Sequence, residues 1–273
     1  MVFSGTALAK IQNNKEAMNI LILYSGGLDS LIMARFAEVR YPNAKVTKVF
    51  YDIGQPYAAK EIAALPADVI QRKLPWLSPE FTPVGKEGSA SGDIIIPGRN
   101  MLLATAAACM YLPDEIWMGA LQGETHEGST DKNYPFLNRL NETLAYVLRP
   151  FYEGPPWRSK APAVARFPLA DAGFNKLRAV RWALQNGITE AQIKASSSCL
   201  SGEPGNCGRC VVCLRRWGIF RQLGIPQEQY NVDPLTTPEL SALAHAMVTG
   251  NHYDEDRTSE ILPALPEDYF GKR

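Results

Sequence analysis

Apolar positions along the chain follow two periods. Ile20-Leu21-Ile22-Leu23 is a short, unbroken run of branched residues, which suits a strand buried on both faces of a parallel sheet. Beyond it, Leu31, Ile32, Ala34, Phe36 and Val39 recur at helical spacing until Tyr41-Pro42-Asn43 stops the helix. Val46-Thr47-Lys48-Val49-Phe50-Tyr51, β-branched and aromatic, predicts a second strand, with a helix carrying Ile62, Ala63, Leu65, Val69 and Ile70 behind it. Residues 101–110 are alanine-rich and apolar on most faces, so a helix held tightly in the interior is expected, with Cys109 as plain core. Glu115-Ile116-Trp117-Met118-Gly119 predicts another strand, Leu137, Leu140, Leu144 and Val147 a helix, and Leu177, Val180 and Leu184 a further helix opened by Lys176.

A strand, a helix and a second parallel strand open a doubly wound α/β sheet. Four divisions follow: an N-terminal extension at 1–18, the α/β domain at 19–190, a cysteine-bearing segment at 191–224 and a C-terminal helical appendage at 225–273. Within the appendage, Leu240, Leu243, Ala244 and Met247 mark a helix, and the acidic, proline-bearing tail after it reads as a surface feature. Residues 85–92 are small and polar and read as a loop or lid near the site, while 149–166 are proline-rich and read as irregular, with Trp157 and Arg158 as lid residues.

Charge narrows the partners. Lys+Arg and Asp+Glu are equal at 28 each, so no net positive field recruits nucleic acid or an anionic membrane. No apolar stretch approaches the ~20 residues of a membrane helix, and the first residues lack a charged head followed by an apolar core. A cytoplasmic protein is expected. Four of the five cysteines crowd between Cys199 and Cys213, as a metal set does in a reducing compartment.

Candidate chemistry starts at Tyr24-Ser25-Gly26-Gly27-Leu28-Asp29-Ser30, between the first strand and the first helix. Two glycines let the backbone turn tightly and approach a ligand, and the unpaired N–H groups of the new helix point into the gap with its positive dipole end. Such a place binds phosphate. Ser25 and Ser30 add hydroxyls, and Asp29 can hold Mg²⁺ or orient a phosphate-bound water. The plainer alternative makes Asp29 and Ser30 helix caps. Ligands of doubly wound sheets lie beyond the carboxyl ends of the strands, which puts Tyr51, Asp52, Gly54, Gln55 and Gly119 beside this loop. Arg99 and Asn100 stand at a helix start, where a guanidinium can meet phosphate or carboxylate in bidentate fashion. Lys176 opens its helix against the dipole, which calls for an anionic partner.

Cys199, Cys207, Cys210 and Cys213 form a second signal. Three thiolates three residues apart, plus one reached by a loop, close a tetrahedron with no open position, so a structural zinc is expected. An iron–sulfur cluster is the alternative, although Trp217 and Gly218 stand where the ferredoxin run has its fourth cysteine and proline.

The order SGGLDS, GQ after the second strand, PGRN before the alanine-rich helix, Tyr134-Pro135 and SC…CGxCxxCxxR resembles the 7-cyano-7-deazaguanine synthase (QueC-like) family of ATP pyrophosphatases, from about Asn19 to Gly224. The resemblance implies an α/β fold with structural zinc, ATP and Mg²⁺ as cofactors, and 7-carboxy-7-deazaguanine and ammonia as substrates. Adenylation of the carboxylate, amide formation and a second activation to the nitrile would follow. It places Ser25, Gly26, Gly27, Asp29 and Ser30 in the ATP loop, Asp52, Gly54 and Gln55 in the second-strand motif, and Arg99 and Asn100 in PGRN. Thr130, Asp131, Tyr134 and Pro135 fall in the deazaguanine-side loop, Lys176 at a helix start, and the four cysteines at the zinc. It also implies a homodimer.

The chain departs from that pattern. Gly54-Gln55-Pro56-Tyr57 replaces GQRH, with Glu61 one place further on, and Tyr134-Pro135-Phe136-Leu137-Asn138 replaces YPDCR. The loop before Asp131 is longer, and both termini are extended. These departures bear on the amine acceptor and the nitrile-forming half. An enzyme stopping at the amide with a protein amine as acceptor, as in QueC-like proteins of anti-phage defence operons, is the close rival. A tRNA-modifying relative would favour a basic face, against the balanced charge. A zinc-stabilised nucleotide-binding module without turnover is the reading from outside enzymology.

Overall fold

Five strands make one sheet in the order β3-β2-β1-β4-β5, every neighbouring pair parallel. They are β1 (Asn19–Leu23), β2 (Lys45–Asp52), β3 (Ile70–Lys73), β4 (Glu115–Trp117) and β5 (Val164–Arg166). The computed structural model describes residues 17–77, 96–126, 130–152, 163–250 and 255–269, so the 85–92 loop, Trp157 and Arg158 lie outside the described residues. The helices are α1 (Leu28–Arg40), α2 (Ala58–Ala63), α3 (Arg99–Tyr111), α4 (Tyr134–Tyr152), α5 (Pro168–Asp171), α6 (Lys176–Gln185), α7 (Glu190–Ala195), α8 (Val211–Leu223), α9 (Pro238–Val248) and α10 (Glu255–Ile261).

Helices cover both faces of the sheet, which is why β1 is apolar without alternation. Ile20 and Ile22 share one core with Ile32 and Met33 of α1, Val180 of α6 and Phe220 of α8. Leu21 faces the other core, with Ala104 and Ala108 of α3 and Leu140 and Leu144 of α4. From β1 the chain winds outward through β2 and β3, then returns to lay β4 on the opposite side. The order reverses at β1 and β4, and their carboxyl ends open the crevice where doubly wound sheets hold ligands. Among the described residues no helix is long and apolar enough to cross a membrane.

Four expectations need correction. The helix after β2 ends at Ala63 and buries nothing, and Ile70 instead opens β3, pairing with Val49. Pro66 is the cause: it disfavours helical backbone at Leu65 and cannot continue the ladder of helix bonds. The alanine-rich α3 is buried along one face only, at Ala104, Ala107 and Ala108; Met101 and Met110 are each 54% exposed, and Cys109 is exposed too. Small side chains at that spacing bring the helix close to the sheet and leave its far side outside. The stretch expected to be irregular contains edge strand β5, whose Ala165 exchanges hydrogen bonds with the Asn141 side chain at 2.7 and 3.0 Å. That amide stands in for a missing neighbour strand.

The fourth correction concerns the tail. Leu214 and Trp217 of α8 share a core with Leu240 and Met247 of α9 and with Ile261 and Leu265. A Cβ at Gly218 would lie 2.5 Å from the Glu260 carbonyl oxygen, so the α10 backbone rests directly on α8. The acidic tail is therefore packed structure, and Glu260 is fully buried.

Candidate functional site

From β1 the backbone crosses through Tyr24-Ser25-Gly26-Gly27 into α1. Gly26 takes φ +71°, a region open to glycine, and a Cβ on it would sit 2.7 Å from the Glu61 carbonyl oxygen. The Gly26 carbonyl accepts the Ser197 N–H at 2.9 Å, so the loop is held between α2 and the segment leading to Cys199. No side chain caps α1. Ser30 Oγ donates to the Gly27 carbonyl at 2.8 Å, and Lys176 Nζ lies 2.6 Å from each oxygen of Asp29. Neither residue serves as a cap, which leaves the first-turn N–H groups and the positive end of the helix dipole facing the gap.

That gap is a cleft of about 340 Å³. Arg99 and Asn100 of α3, Gly119 beyond β4, Arg215 of α8 and Arg257 of α10 line it with the loop. Among the described residues three carboxylates line it: Asp29, Glu61 and Glu124. Asp29 is paired with Lys176. Glu124 lies 3.2 Å from Arg215 and 3.8 Å from Lys132. Burial opposes its charge, but Lys132, Arg215 and Lys176 hold its carboxyl well below the usual range. Glu61 behaves in the opposite way: burial pushes it up to about 7, and neither the hydrogen bond from Gln55 Nε2 at 2.7 Å nor nearby Arg99 restores it.

One chain of charges reaches from the loop to the C-terminal helix. Glu260 accepts the backbone N–H of Lys176 at 2.9 Å and is gripped by Arg215 at 2.6 and 3.1 Å. Its carboxylate stands at the N-terminus of α6, where the dipole favours an anion. Arg215 completes the chain at Glu124. Its neighbour Arg216 pairs with Glu228 at 2.6 Å and donates to Ser196 and Ser198, bracing the approach to Cys199.

The residues singled out from sequence are distributed as follows. Tyr24, Ser25, Gly27, Leu28, Asp29 and Ser30 line the cleft with Tyr51, Gln55, Arg99, Asn100, Gly119 and Lys176, and Gly26 shapes the loop. The Tyr51 hydroxyl is engaged with Met110 Sδ at 3.9 Å. Asp52 and Gly54 do not line the cleft; the Gly54 N–H donates to Asp52 Oδ1 at 3.0 Å. Gln55 braces the turn, its Oε1 accepting from the Ile53 N–H at 3.0 Å. Thr130, Asp131 and Tyr134 do not line the cleft. Asp131 joins through its carbonyl, which accepts from Asn100 Nδ2 at 2.9 Å, and the Tyr134 hydroxyl donates to Asp171 at 2.9 Å. Sequence reading assigned no site role to Glu61, Glu124, Lys132, Arg215, Arg216 or Arg257. A signal existed for two of them, since adjacent arginines inside an apolar helix must find partners when buried.

The four cysteine sulfurs lie within 4.8 Å of one another, with Cys210–Cys213 at 3.5 Å and Cys207–Cys213 at 3.9 Å. These separations exclude disulfides. Around a tetrahedral zinc with Zn–S near 2.3 Å, sulfurs stand about 3.8 Å apart, so the donor set fits one such ion. A multi-iron cluster would spread its thiolates further. Backbone N–H groups of Cys207 and Arg209 donate to Cys199 and Cys207 sulfurs at 3.4 and 3.3 Å, as they would to thiolates. Hydrogen bonds from neighbouring thiols pull the Cys199 thiol down, and the same sharing pushes Cys213 up.

Residues 81–224, just over half of the chain, match the family described as queuosine biosynthesis protein QueC. The chain belongs to the QueC family. A 7-cyano-7-deazaguanine synthase from Chromobacterium violaceum is 29% identical over 236 residues, spanning 78% of this chain and 94% of the relative. One from Prochlorococcus marinus is 25% identical over 237 residues, 80% of this chain and all of the relative. A third, from Pyrococcus furiosus, is 23% identical over 251 residues, 78% of this chain and 97% of the relative. The QueC match ends at the residue that closes α8, so α9 and α10, with Arg257 and Glu260, lie beyond it.

Proposed function

We propose that this QueC-family chain is an ATP-dependent carbon–nitrogen ligase acting on 7-carboxy-7-deazaguanine. The carboxylate of that substrate attacks the α-phosphorus of ATP, a P–O bond forms, and the bond to pyrophosphate breaks. An amine then attacks the acyl carbon, forming C–N and breaking the bond to AMP. In a complete synthase a second ATP carries the amide on to the nitrile.

The observation supporting this most strongly is the α1 N-terminus without a side-chain cap, facing the cleft beside the Asp29–Lys176 ion pair. First-turn N–H groups bind phosphate oxygens. Lys176, Arg99 and Arg215 add positive charge where negative charge builds up on the α-phosphate and the leaving pyrophosphate. Asp29 fixes the Lys176 ammonium and keeps lone pairs for a Mg²⁺ ion arriving with the triphosphate. Such an ion supplies charge neutralisation. Zinc held by the four cysteines has no open position, so its part is structural.

The test is mass spectrometry of products after incubation with ATP, Mg²⁺, 7-carboxy-7-deazaguanine and ammonium. Nitrile with AMP and pyrophosphate identifies a complete synthase, and amide alone a ligase that stops one activation short. Absence of any AMP-forming turnover defeats the proposal. Asp29→Ala should abolish AMP release while the circular dichroism spectrum stays that of the unaltered protein; normal AMP release by that variant would overturn the site assignment.

A further inference from the structure

The amine that captures an acyl-adenylate must lose a proton, and the cleft offers few groups to take it. No histidine lines it among the described residues. Both oxygens of Asp29 are bound by Lys176, and Glu124 is held between Arg215 and Lys132, so two of the three carboxylates are committed to cations. Glu61 makes no ion pair with a described residue. One of its oxygens accepts from Gln55 Nε2 at 2.7 Å, and Gln55 is itself fixed by the Ile53 N–H.

The geometry points to Glu61 as the proton acceptor for the incoming amine, an assignment that rests on the ligase function proposed above. The carboxylate of Glu61 takes a proton from the ammonium form, the freed nitrogen lone pair forms the C–N bond, and the electrons of the breaking C–O bond leave with AMP. The second proton lost from nitrogen goes to solvent.

Placement supports this role. The Glu61 carbonyl lies against Gly26 of the phosphate loop, so this end of α2 abuts the place where α1 receives phosphate. The groups facing the carboxyl are Asp52 at the end of β2, Gln55 and Tyr57 from the stretch between β2 and α2, and Arg99 from α3. Arg99 donates instead to the Tyr57 hydroxyl and Asn100 Oδ1, both at 3.3 Å. Neighbouring Lys60 turns away to the Gly205 carbonyl at 2.8 Å. A half-buried carboxyl titrating near neutrality is matched to an amine at working pH, as general-base transfer requires.

The experiment compares two half-reactions in the full-length protein: substrate-dependent ATP–pyrophosphate exchange and amide formation. Glu61→Gln should lower the ratio of amide formation to exchange at least tenfold with ammonium. Hydroxylamine, an amine already uncharged at neutral pH, should narrow that deficit to threefold or less. Equal losses in both half-reactions, a ratio within twofold of the unaltered protein, or a deficit that hydroxylamine leaves in place would each overturn the assignment. Should Glu61→Gln fail to fold, Glu61→Asp serves with the same criterion: its deficit must be larger with ammonium than with hydroxylamine. Absence of exchange in the unaltered protein defeats the ligase reading itself, whereas exchange with an unaltered ratio defeats the role of Glu61 alone.

Discussion

At the scale of single residues, Gly26 and Lys176 each meet two demands at once. Gly26 adopts φ +71°, accepts a hydrogen bond from Ser197 and leaves no room for a Cβ beside the Glu61 carbonyl. For Gly26→Ala the left-handed backbone costs about 1–2 kcal/mol. The overlap with a backbone oxygen adds to this, because that oxygen cannot rotate away as a flexible side chain would. ATP affinity, measured by isothermal titration calorimetry, should fall at least tenfold in the fraction that stays folded, and the urea midpoint should drop as well, because that strain is carried only by the folded state. Unchanged affinity would mean that the loop does not carry the nucleotide. Lys176 binds Asp29 of the glycine loop through Nζ and Glu260 of α10 through its backbone N–H, so one residue transmits the placement of the tail to the cleft.

Among the elements, α10 carries the least expected role. Glu260 is fully buried and offsets the charge of Arg215, which is nearly as deep. Removing one partner of a buried pair costs about 3–5 kcal/mol, because the other charge stays behind unpaired. Glu260→Ala should lower unfolding stability by that amount in urea titrations, and Glu260→Gln by less, since an amide oxygen still accepts from the Lys176 N–H. A loss under about 1 kcal/mol for Glu260→Ala, the range of exposed pairs, would contradict the buried network. Nothing local announces this role: Glu255-Asp256-Arg257-Thr258-Ser259-Glu260 reads as a solvated face, and the partners that make Glu260 core, Arg215 and the Lys176 N–H, are 45 and 84 positions away. The same reasoning explains which strands were visible. β1, Val49-Phe50-Tyr51 of β2 and Ile116-Trp117 of β4 are apolar because helices cover them, whereas β3 is Ile70-Gln71-Arg72-Lys73 at a sheet edge and exposes three of its four residues. The glycine loop and the cysteine set were readable because their partners are neighbours in sequence. Lys176 and Asp29, 147 positions apart, needed the fold to meet.

For the whole molecule, the cysteine set and the glycine loop are one mechanical unit. The segment entering Cys199 donates Ser197 N–H to Gly26, and Arg216 holds that segment through Ser196 and Ser198. Metal bound to such thiolates contributes its binding free energy to folding. Stripping the metal with a competing chelator should lower the melting temperature by roughly 10 °C or more, since each kcal/mol is worth about 2–4 °C at this size. It should also weaken ATP binding. Loss of metal with no change in ATP affinity would show that the Ser197–Gly26 contact does not couple the two sites. The path of the chain gives the charge network a further meaning. A protein emerges from its synthesis N-terminus first, so the glycine loop exists long before α10 does. Until α10 docks, Arg215 lacks its main counter-charge and the backbone of Lys176 lacks its acceptor. Helix α10, made after every other part of the cleft, therefore finishes the site that α1 begins, and a chain cut before it would hold the glycine loop without a properly seated lysine.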